Sequence, residues 1–585
     1  MNELYRQLAR AIPDRQTSKV SVSGLDPRAL REWIDALPLA NFTSTSSQLL
    51  DRVRAMNKAR MVPLQRLEML EMLRIPVAHC IATANGQILG AAFPLTARKA
   101  ELAMLTEYFE FDLSVGYIEV LYDFCAARQA IPLFRRSQAS LAALRALQHG
   151  GQCLQKSYQC YHAPLVGVWQ SMHDVYCVIV DLKLHDRKVE GSLFGGGVRP
   201  RHVYTHALLM SLINPYSFTF RELPQVNALT QLMARLCDLR EVGADIEQGD
   251  HLRLVDTLSD VGPGFLVGSD KTGERTLLGI DTQRAQGDIE SRINAAGDDA
   301  DYVDLPNRGG TPLRVEIRLL RDLAVSLAAD QSRDFDRLQS EEKMETVVGL
   351  HDLHNAMTNG EDFRTFSERV FGSGDAAEPD EVMASWVHIN SESTRVSRRP
   401  AYVVDQSLRG YRLRWHSGPQ GETVRAKVGE VIGLHCNEDG ISNWIVGSIR
   451  WLRINENGDI EAGVEVLARR ALPVAVRLSD DKVPSRAASR GLLLAPLCSD
   501  DAGIYSTLMV PSMVSPHLVD RGLVALNIAT PRDADHWWRD SGVHRLGATG
   551  LLDRSGTYIN FRVPSMCRAE HAHDGLAVNP LGDAN

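Results

Sequence analysis

The chain has 585 residues, of which 44% are hydrophobic and 23% are charged, and its formal net charge is −9. This length exceeds what one hydrophobic core organises, so we expect about three or four structural units. The negative net charge excludes an overall basic surface of the kind that binds nucleic acid or membranes through bulk electrostatics. A small anionic ligand would therefore need a local arginine cluster.

The cysteines and the apolar runs indicate a cellular compartment. Nine cysteines are scattered along the chain without a CxxC pair, which predicts reduced, mostly buried thiols in a cytosol. The first residues, MNELYRQLARAIPDRQ, lack the apolar core of a signal peptide, and no run approaches the ~18 apolar residues of a membrane span. We therefore expect a cytoplasmic protein with no direct membrane insertion.

Residues 1–245 have the periodicity of a helical domain. Asp26 and Pro27 form a helix start, in which an N-cap precedes a proline at the first helical position. A helix over 63–75 has leucines at i,i+3 spacing, and Pro76 is expected to end it. Further helical patterns, separated by short Pro- or Gly-containing connections, predict a helical bundle or an irregular solenoid; they lie at about 97–110, 115–130, 137–160, 165–182, 201–213 and 225–240.

Aromatic and polar residues come together on neighbouring helices of this region, at Tyr158, Tyr161, Trp169, His173 and Tyr176. Amphipathic aromatic side chains occur both at helix–helix seams and in grooves that bind a ligand or a partner. The sequence leaves both interpretations open.

Residues 246–312 differ in sequence pattern from the preceding helical region and predict a small region of β-strands and linker. Runs with β character at 251–258, 264–267 and 276–281 are followed by a polar stretch, 284–312, that we interpret as a loop. The next residues, 311–329, have the pattern of an amphipathic helix that leads into another domain.

The most informative stretch is 402–415, which reads YVVDQSLRGYRLRW. Apolar and aromatic residues alternate on both sides of Asp405, Ser407 and Gly410, so we expect two strands with a bulge or a tight turn between them. A strand-like run, METVVGL, precedes this stretch, and three more follow it at 424–431, 444–453 and 460–467.

The spacing Asp405-x-Ser407-x-x-Gly410 resembles the D/NxSxxG motif of the PilZ domain, the bacterial receptor module for cyclic di-GMP, and the order of the strands is similar too. The resemblance implies an α+β multidomain chain with a PilZ-like antiparallel β-barrel and a preceding helix over 313–480. It also implies that Asp405 and Ser407 contact a guanine edge, and that Gly410 lets the backbone approach the ligand. An RxxxR arginine pair would hold the phosphates.

Two arginine pairs with the RxxxR spacing lie between residue 330 and Asp405. Arg333 and Arg337 lie upstream of METVVGL, in the order of the family, whereas Arg395 and Arg399 belong to a richer basic patch close before Asp405. Two guanidinium forks can clamp phosphates bidentately. The order favours the first pair and the local charge favours the second. The same spacing also arises by chance in an arginine-rich chain, so a barrel that binds no nucleotide is a third interpretation.

The end of the chain continues the β pattern. Short strand-like runs over 481–565 predict an additional β domain, with 543–553 as turns or surface segments, and residues 566–585 predict a flexible tail.

Known catalytic signatures are not recognised in the sequence, so we expect neither enzyme activity nor a metal or cofactor. The resemblance implies a cyclic-di-GMP-binding effector or adaptor whose helical region engages a protein partner in motility, adhesion or biofilm control. The alternative is a nucleotide-independent scaffold or chaperone-like protein with a degenerate PilZ barrel.

Overall fold

The computed structural model of the chain divides into two units, Met1–Ser332 and Arg333–Asn585. The residues that it describes, to which every structural statement refers, are 3–14, 26–89, 91, 93–126, 131–190, 197–242, 252–264, 277–297, 300–305, 312–328, 337–371, 398–418, 424–438, 441–479, 484–495, 505–512, 525–529, 543–547, 550–555 and 557–564.

The first unit is built mainly from helices. They are α1 (Glu3–Gln7), α2 (Pro27–Asp35), α3 (Phe42–Lys58), α4 (Pro63–Ile88), α5 (Ala97–Ala126), α6 (Arg136–Gln159), α7 (Val168–Asp181), α8 (Pro200–Leu212), α9 (Leu223–Met233), α10 (Gln283–Ala296) and α11 (Ile317–Leu327). Short strands complete the unit, and they are β1 (Asp238–Val242), β2 (Leu252–Asp256), β3 (Leu277–Asp281), β4 (Tyr302–Leu305) and β5 (Leu313–Glu316). Strands β1, β3 and β2 form an antiparallel sheet in that order, and β4 pairs with β5.

The predicted start of α2 is confirmed, whereas the predicted end of the helix at Pro76 is wrong. The side chain of Asp26 accepts hydrogen bonds from the backbone N–H groups of Arg28 and Ala29. Pro76 lies inside α4, which continues to Ile88. The proline removes one backbone hydrogen bond, but buried residues on both sides of it, such as Leu73 and Cys80, keep the helix packed against the core.

The polar stretch at 284–312 is also not a loop throughout, because it contains α10. Ala285 and Ile289 are the buried positions of this helix, and their i,i+4 spacing gives a stripe too narrow to stand out in the sequence. Helix α11 contributes Leu319 and Leu323 to the same apolar core as the preceding helices. The division between the two units therefore falls after α11.

The aromatic residues of the helical unit form a seam between helices. Trp169, His173 and Tyr176 are all buried, and the ring of His173 stacks on that of Trp169 with 5.5 Å between centroids. The two ring nitrogens of His173 contact the Tyr204 hydroxyl at 2.7 Å and the Val261 carbonyl at 2.9 Å. These contacts bury the rings between the helices, which agrees with the interpretation as a helix–helix seam.

The second unit contains a closed antiparallel barrel, as expected from the sequence. Its strands are β6 (Leu338–Gln339), β7 (Lys343–Val348), β8 (Arg399–Ser407), β9 (Gly410–Trp415), β10 (Val431–Glu438), β11 (Ile441–Ile454) and β12 (Ile460–Ala468). The ring β8-β7-β10-β11-β12-β9 is closed by pairing of β9 with β8, and β6 pairs with the end of β8 beyond the residues that pair with β7. The strand expected at 424–431 begins only at Val431.

Two short helices and a second antiparallel sheet complete this unit. The helices are α12 (Leu350–Met357) and α13 (Phe363–Phe371). The strands, paired in the order β17-β16-β13-β14-β15-β19-β18, are β13 (Ala471–Ser479), β14 (Pro484–Leu494), β15 (Tyr505–Pro511), β16 (Ala525–Ala529), β17 (Val543–Gly547), β18 (Gly550–Arg554) and β19 (Tyr558–Pro564). The residues expected to be turns at 543–553 thus contain two strands.

The barrel and the second sheet share one apolar core, to which Val431 and Trp444 of the barrel and Leu492 and Tyr558 of the sheet contribute. In the first unit, the core runs from α1 to α11. None of the helices in the described ranges combines the length and the apolar character that a bilayer span requires.

Candidate functional site

The motif residues form a tight corner between β8 and β9. Ser407 pairs with Gly410 in the antiparallel register, so Leu408 and Arg409 make the turn. The register shifts between Val403 and Asp405, which is a β-bulge. The alternation of the flanking residues therefore produces two paired strands with a bulge, and the motif lies at their joined ends.

Gly410 is required by the close approach of the neighbouring strand. A Cβ at this position would lie 2.7 Å from the backbone oxygen of Val464 in β12. The hydroxyl of Ser407 donates to the Gly410 carbonyl at 3.4 Å. The glycine therefore lets β9 close against β12, while the serine spans the turn.

Strand β6 brings an arginine to this corner. Leu338 pairs with Gln406 and Gln339 pairs with Asp405, so Arg337 stands next to the end of β8. One guanidinium nitrogen, Nη1, lies 2.7 Å from Oδ1 of Asp405. The side chain of Asp405 is 7% exposed and that of Arg337 is 41% exposed, so the arginine has donors that face solvent.

Two more guanidinium groups lie on the outer face of β9. Arg412 contacts Asp405 Oδ2 at 3.7 Å and Glu461 Oε2 at 2.7 Å, and Arg414 contacts Glu461 Oε1 at 2.6 Å. Burial alone would raise the pKa of Glu461, but the hydrogen bonds and charges of the two arginines hold it below its usual value. Three cations and two carboxylates thus form one network, with an excess of one positive charge.

An open cleft runs along the barrel beside this network. It is bounded on one side by Ser340 and Glu341, which follow β6, and on the other by Tyr402, Arg414 and His416. The rings of Tyr402 and His416 meet edge to face at 5.0 Å. Aromatic rings and a guanidinium in one cleft can bind a planar heterocycle with attached phosphates.

Of the remaining predicted arginines, Arg399 is described by the structure, and it lies away from the corner. Arg333 and Arg395 lie outside the described residues. Arg399 is the first residue of β8, where it pairs with Thr346. At about 3.3 Å per residue, it is roughly 20 Å along the strand from Asp405.

Sequence reasoning missed Arg412, Arg414 and Glu461. The signal was present, because Arg412 and Arg414 alternate with Tyr411, Leu413 and Trp415 and must share the polar face of their strand. Nothing in the sequence indicated that Glu461 lies opposite them, because this depends on the pairing of β9 with β12.

A separate group with metal-ligand chemistry lies in the helical unit. Glu107, Cys160 and His162 each offer one ligand atom, and these atoms lie within 4.8 Å of one another. His162 Nε2 lies 2.7 Å from Glu107 Oε1, and its Nδ1 lies 2.7 Å from the Ala163 carbonyl. These contacts make His162 and Glu107 a histidine–carboxylate pair in which the carboxylate is buried and the histidine is partly exposed.

Both the helical unit and the barrel match models of a known protein family. A family model described as the N-terminal domain of the cyclic-di-GMP receptor FimW matches residues 28–244. A second model, described as the middle PilZ domain of the same receptor, matches residues 252–400 and 376–473. The cyclic-di-GMP receptor FimW of Pseudomonas aeruginosa is 22% identical to this chain, and the alignment covers 84% of the chain and 85% of the relative. No solved structure matches the chain.

The family models together span the helical unit and the barrel, and the barrel carries the D/NxSxxG corner at the end of β8. The chain is therefore a PilZ-domain protein, a member of the bacterial cyclic-di-GMP receptor family that carries a long helical N-terminal region.

Proposed function

We propose that the barrel binds cyclic di-GMP at the corner formed by Asp405, Ser407 and Gly410, with Arg337 as the described arginine that meets the phosphates. The observation that carries this proposal is the 2.7 Å contact between Arg337 and Asp405. These residues are 68 positions apart in sequence. The contact brings one member of an RxxxR pair to the D/NxSxxG motif, which is what a shared ligand would require.

The charges around Arg337 suit a dianionic ligand. One of its nitrogens is held by the buried carboxylate of Asp405, while the half-exposed remainder of the guanidinium presents further donors to solvent. A phosphate can occupy those donors without displacing Asp405. The neighbouring cleft, with Tyr402 and Arg414, would then receive a guanine base by stacking.

Isothermal titration of the full chain with cyclic di-GMP tests this assignment. A charge-assisted hydrogen bond contributes about 1.5–3 kcal/mol, so Arg337→Ala should weaken binding about 10- to 150-fold. Arg399→Ala is the matched control, because it removes the same group from the other end of β8 and should leave the affinity within about twofold. If Arg399→Ala weakens binding and Arg337→Ala does not, the phosphates are held by the pair Arg395 and Arg399 instead.

The biological role that follows is that of an effector. We infer that ligand binding to the barrel is coupled to a protein partner of the helical unit, in the control of motility, adhesion or biofilm formation. The function is one of binding and not of catalysis. Identification of a partner whose capture by the full chain depends on cyclic di-GMP, and is lost with Arg337→Ala, would support this coupling.

One observation favours a second candidate, a scaffold that binds no nucleotide. Arg412 and Arg414 already share the carboxylate of Glu461, and Asp405 already pairs with Arg337. A corner whose cations are satisfied within the protein can be purely structural. Wild-type protein that releases no heat with cyclic di-GMP at high concentration, while binding its partner equally with and without it, would establish this alternative.

A further inference from the structure

The helical unit contains a second polar cavity, of about 560 Å³, that the barrel site does not involve. Three helices, α6, α8 and α9, form its walls, together with residues 188 and 197–198 beside the bridge between Val189 and Val198. This volume lies within the range of cavities that hold small molecules, about 300–1,000 Å³. The cavity is therefore large enough for a ligand of nucleotide size.

The cavity is strongly cationic. Lys188, Arg199, Arg201 and Arg235 all line it, and among the described lining residues none is acidic. Asp186 lies beside the lining, where its Oδ1 is 3.2 Å from Arg201 Nε and 3.8 Å from Arg199 Nη1. Even with this carboxylate counted, the lining has a clear positive excess.

Two other features of the cavity also indicate a positive electrostatic environment. The first turn of α8, which begins at Pro200, contributes lining residues, and the N-terminus of a helix carries a partial positive charge. In that turn, burial and the charges of Arg201, Arg235 and Arg199 lower the pKa of His202 to about 4. The imidazole is thus held neutral first by burial and then by the three arginines, and the positive charge of these arginines would stabilise an anion.

Carboxamide side chains also line the cavity. Gln148 and Gln152 are one turn apart on α6, and Asn227 and Gln231 are one turn apart on α9. Each carboxamide has both a donor and an acceptor, although Oε1 of Gln148 already accepts a hydrogen bond from Arg145 Nη1 at 2.9 Å. An inorganic anion would use only the cations, whereas paired donors and acceptors match the edge of a heterocyclic base.

We propose that this cavity, formed by α6, α8 and α9, binds a small phosphorylated ligand of the nucleotide class. Lys188, Arg199, Arg201 and Arg235 hold its phosphates. The carboxamides of α6 and α9 contact its base. This site is separate from the barrel corner and does not depend on the assignment of cyclic di-GMP to that corner.

Calorimetric titration of the full chain with ATP, GTP and inorganic pyrophosphate tests the site. We expect at least one nucleotide to bind, and Lys188→Glu and Arg235→Glu each to weaken it about tenfold or more, because each reverses a charge at the phosphates. Both side chains are exposed, so neither change should disturb folding, which circular dichroism of the variants checks. Arg187→Glu is the matched control, since it reverses an adjacent exposed charge that does not line the cavity.

Two further variants distinguish this site from the barrel corner and from a site for phosphate alone. Binding should survive Arg337→Ala, because that residue belongs to the barrel. Gln231→Leu should weaken the nucleotide and leave pyrophosphate unchanged, because it removes a contact to the base alone. Absence of binding by all three probes, equal losses with Arg187→Glu and Lys188→Glu, or binding of a polyglutamate peptide in place of the nucleotides would overturn the proposal.

Discussion

One ion pair in the core of the helical unit and the ion pairs of the barrel corner differ in their access to solvent. Arg66 and Glu119 meet at 2.8 Å with both side chains 0% exposed. At the barrel corner, Arg337, Arg412 and Arg414 keep between 35% and 41% of their side chains exposed while pairing with buried carboxylates. A fully buried pair can only be structural, whereas a half-exposed guanidinium retains donors for a ligand.

The difference indicates where this protein can exchange a contact within the chain for a contact with a ligand. Breaking a buried pair leaves an uncompensated charge in the core. Breaking an exposed pair costs little, because water solvates both groups. The barrel corner lies between these limits, since its acids are buried and its arginines are not.

The largest expected effect is that of Arg66→Ala. Besides Glu119, the guanidinium of Arg66 donates to the carbonyls of Met56 and Ala59 at the end of α3. Its removal should lower the free energy of unfolding by about 3–5 kcal/mol. Urea unfolding of the full chain, followed by far-UV circular dichroism to which the helices contribute most, measures the change.

The matched control for Arg66→Ala is Arg28→Ala, whose partner Glu32 lies one turn away on the exposed face of α2. That substitution should change the free energy of unfolding by less than about 1 kcal/mol. If the two substitutions lower the free energy of unfolding by similar amounts, burial does not determine how much these ion pairs contribute to stability.

An intermediate effect is expected for Glu461→Gln, which removes the carboxylate shared by Arg412 and Arg414. Burial alone would raise the pKa of Glu461, but the two arginines lower it by a larger amount. The pKa in the folded protein therefore lies below that in the unfolded chain. The carboxylate therefore contributes stability above about pH 4.5, the unfolded value, and this contribution is lost as the pH falls through the folded pKa.

We expect Glu461→Gln to cost about 1–2 kcal/mol at pH 7 and progressively less at acid pH. Urea unfolding at several pH values measures the difference from wild type. Glu465→Gln is the control, because Glu465 pairs with Arg450 on the exposed surface of the neighbouring strands. A difference that stays constant down to acid pH would mean that shape and hydrogen bonding, and not the charge, account for the contribution of Glu461.

The fold class and the corner were predictable because local patterns determine them. Alternation around Asp405 predicts two strands, and the spacing of Ser407 and Gly410 fits the turn between them. The failures arose where tertiary contacts outweighed a local signal. Helix α4 continues through Pro76 because residues on both sides of the proline pack in the core. Helix α10 forms although its buried stripe, Ala285 and Ile289, is narrow.

The composition of the site was less predictable than its location. Between residue 330 and Asp405 the sequence contains two RxxxR pairs, of which chain order favoured Arg333 and Arg337 and local charge favoured Arg395 and Arg399. Arg337 reaches Asp405 because the two residues of β6 pair with the end of β8. A strand of two residues has no periodicity to recognise, so this pairing could not have been read from the sequence.

The smallest effect on stability is expected for Arg337→Ala without ligand. Arg412 remains 3.7 Å from the other oxygen of Asp405, so the buried carboxylate keeps a cationic partner, and the cost should be under about 1 kcal/mol. Cyclic di-GMP at a hundred times its Kd should then stabilise wild type by about 2.7 kcal/mol. With affinity reduced about 10- to 150-fold, the variant should gain only roughly 0.3–1.4 kcal/mol at the same concentration.

Chemical unfolding with and without cyclic di-GMP measures both quantities for Arg337→Ala, and Arg399→Ala should keep the full ligand-dependent gain. A loss of several kcal/mol without ligand would group Arg337 with Arg66 as a structural residue. A small loss together with a reduced ligand gain is what a half-exposed guanidinium at a binding corner requires, because its donors then serve the ligand more than the fold.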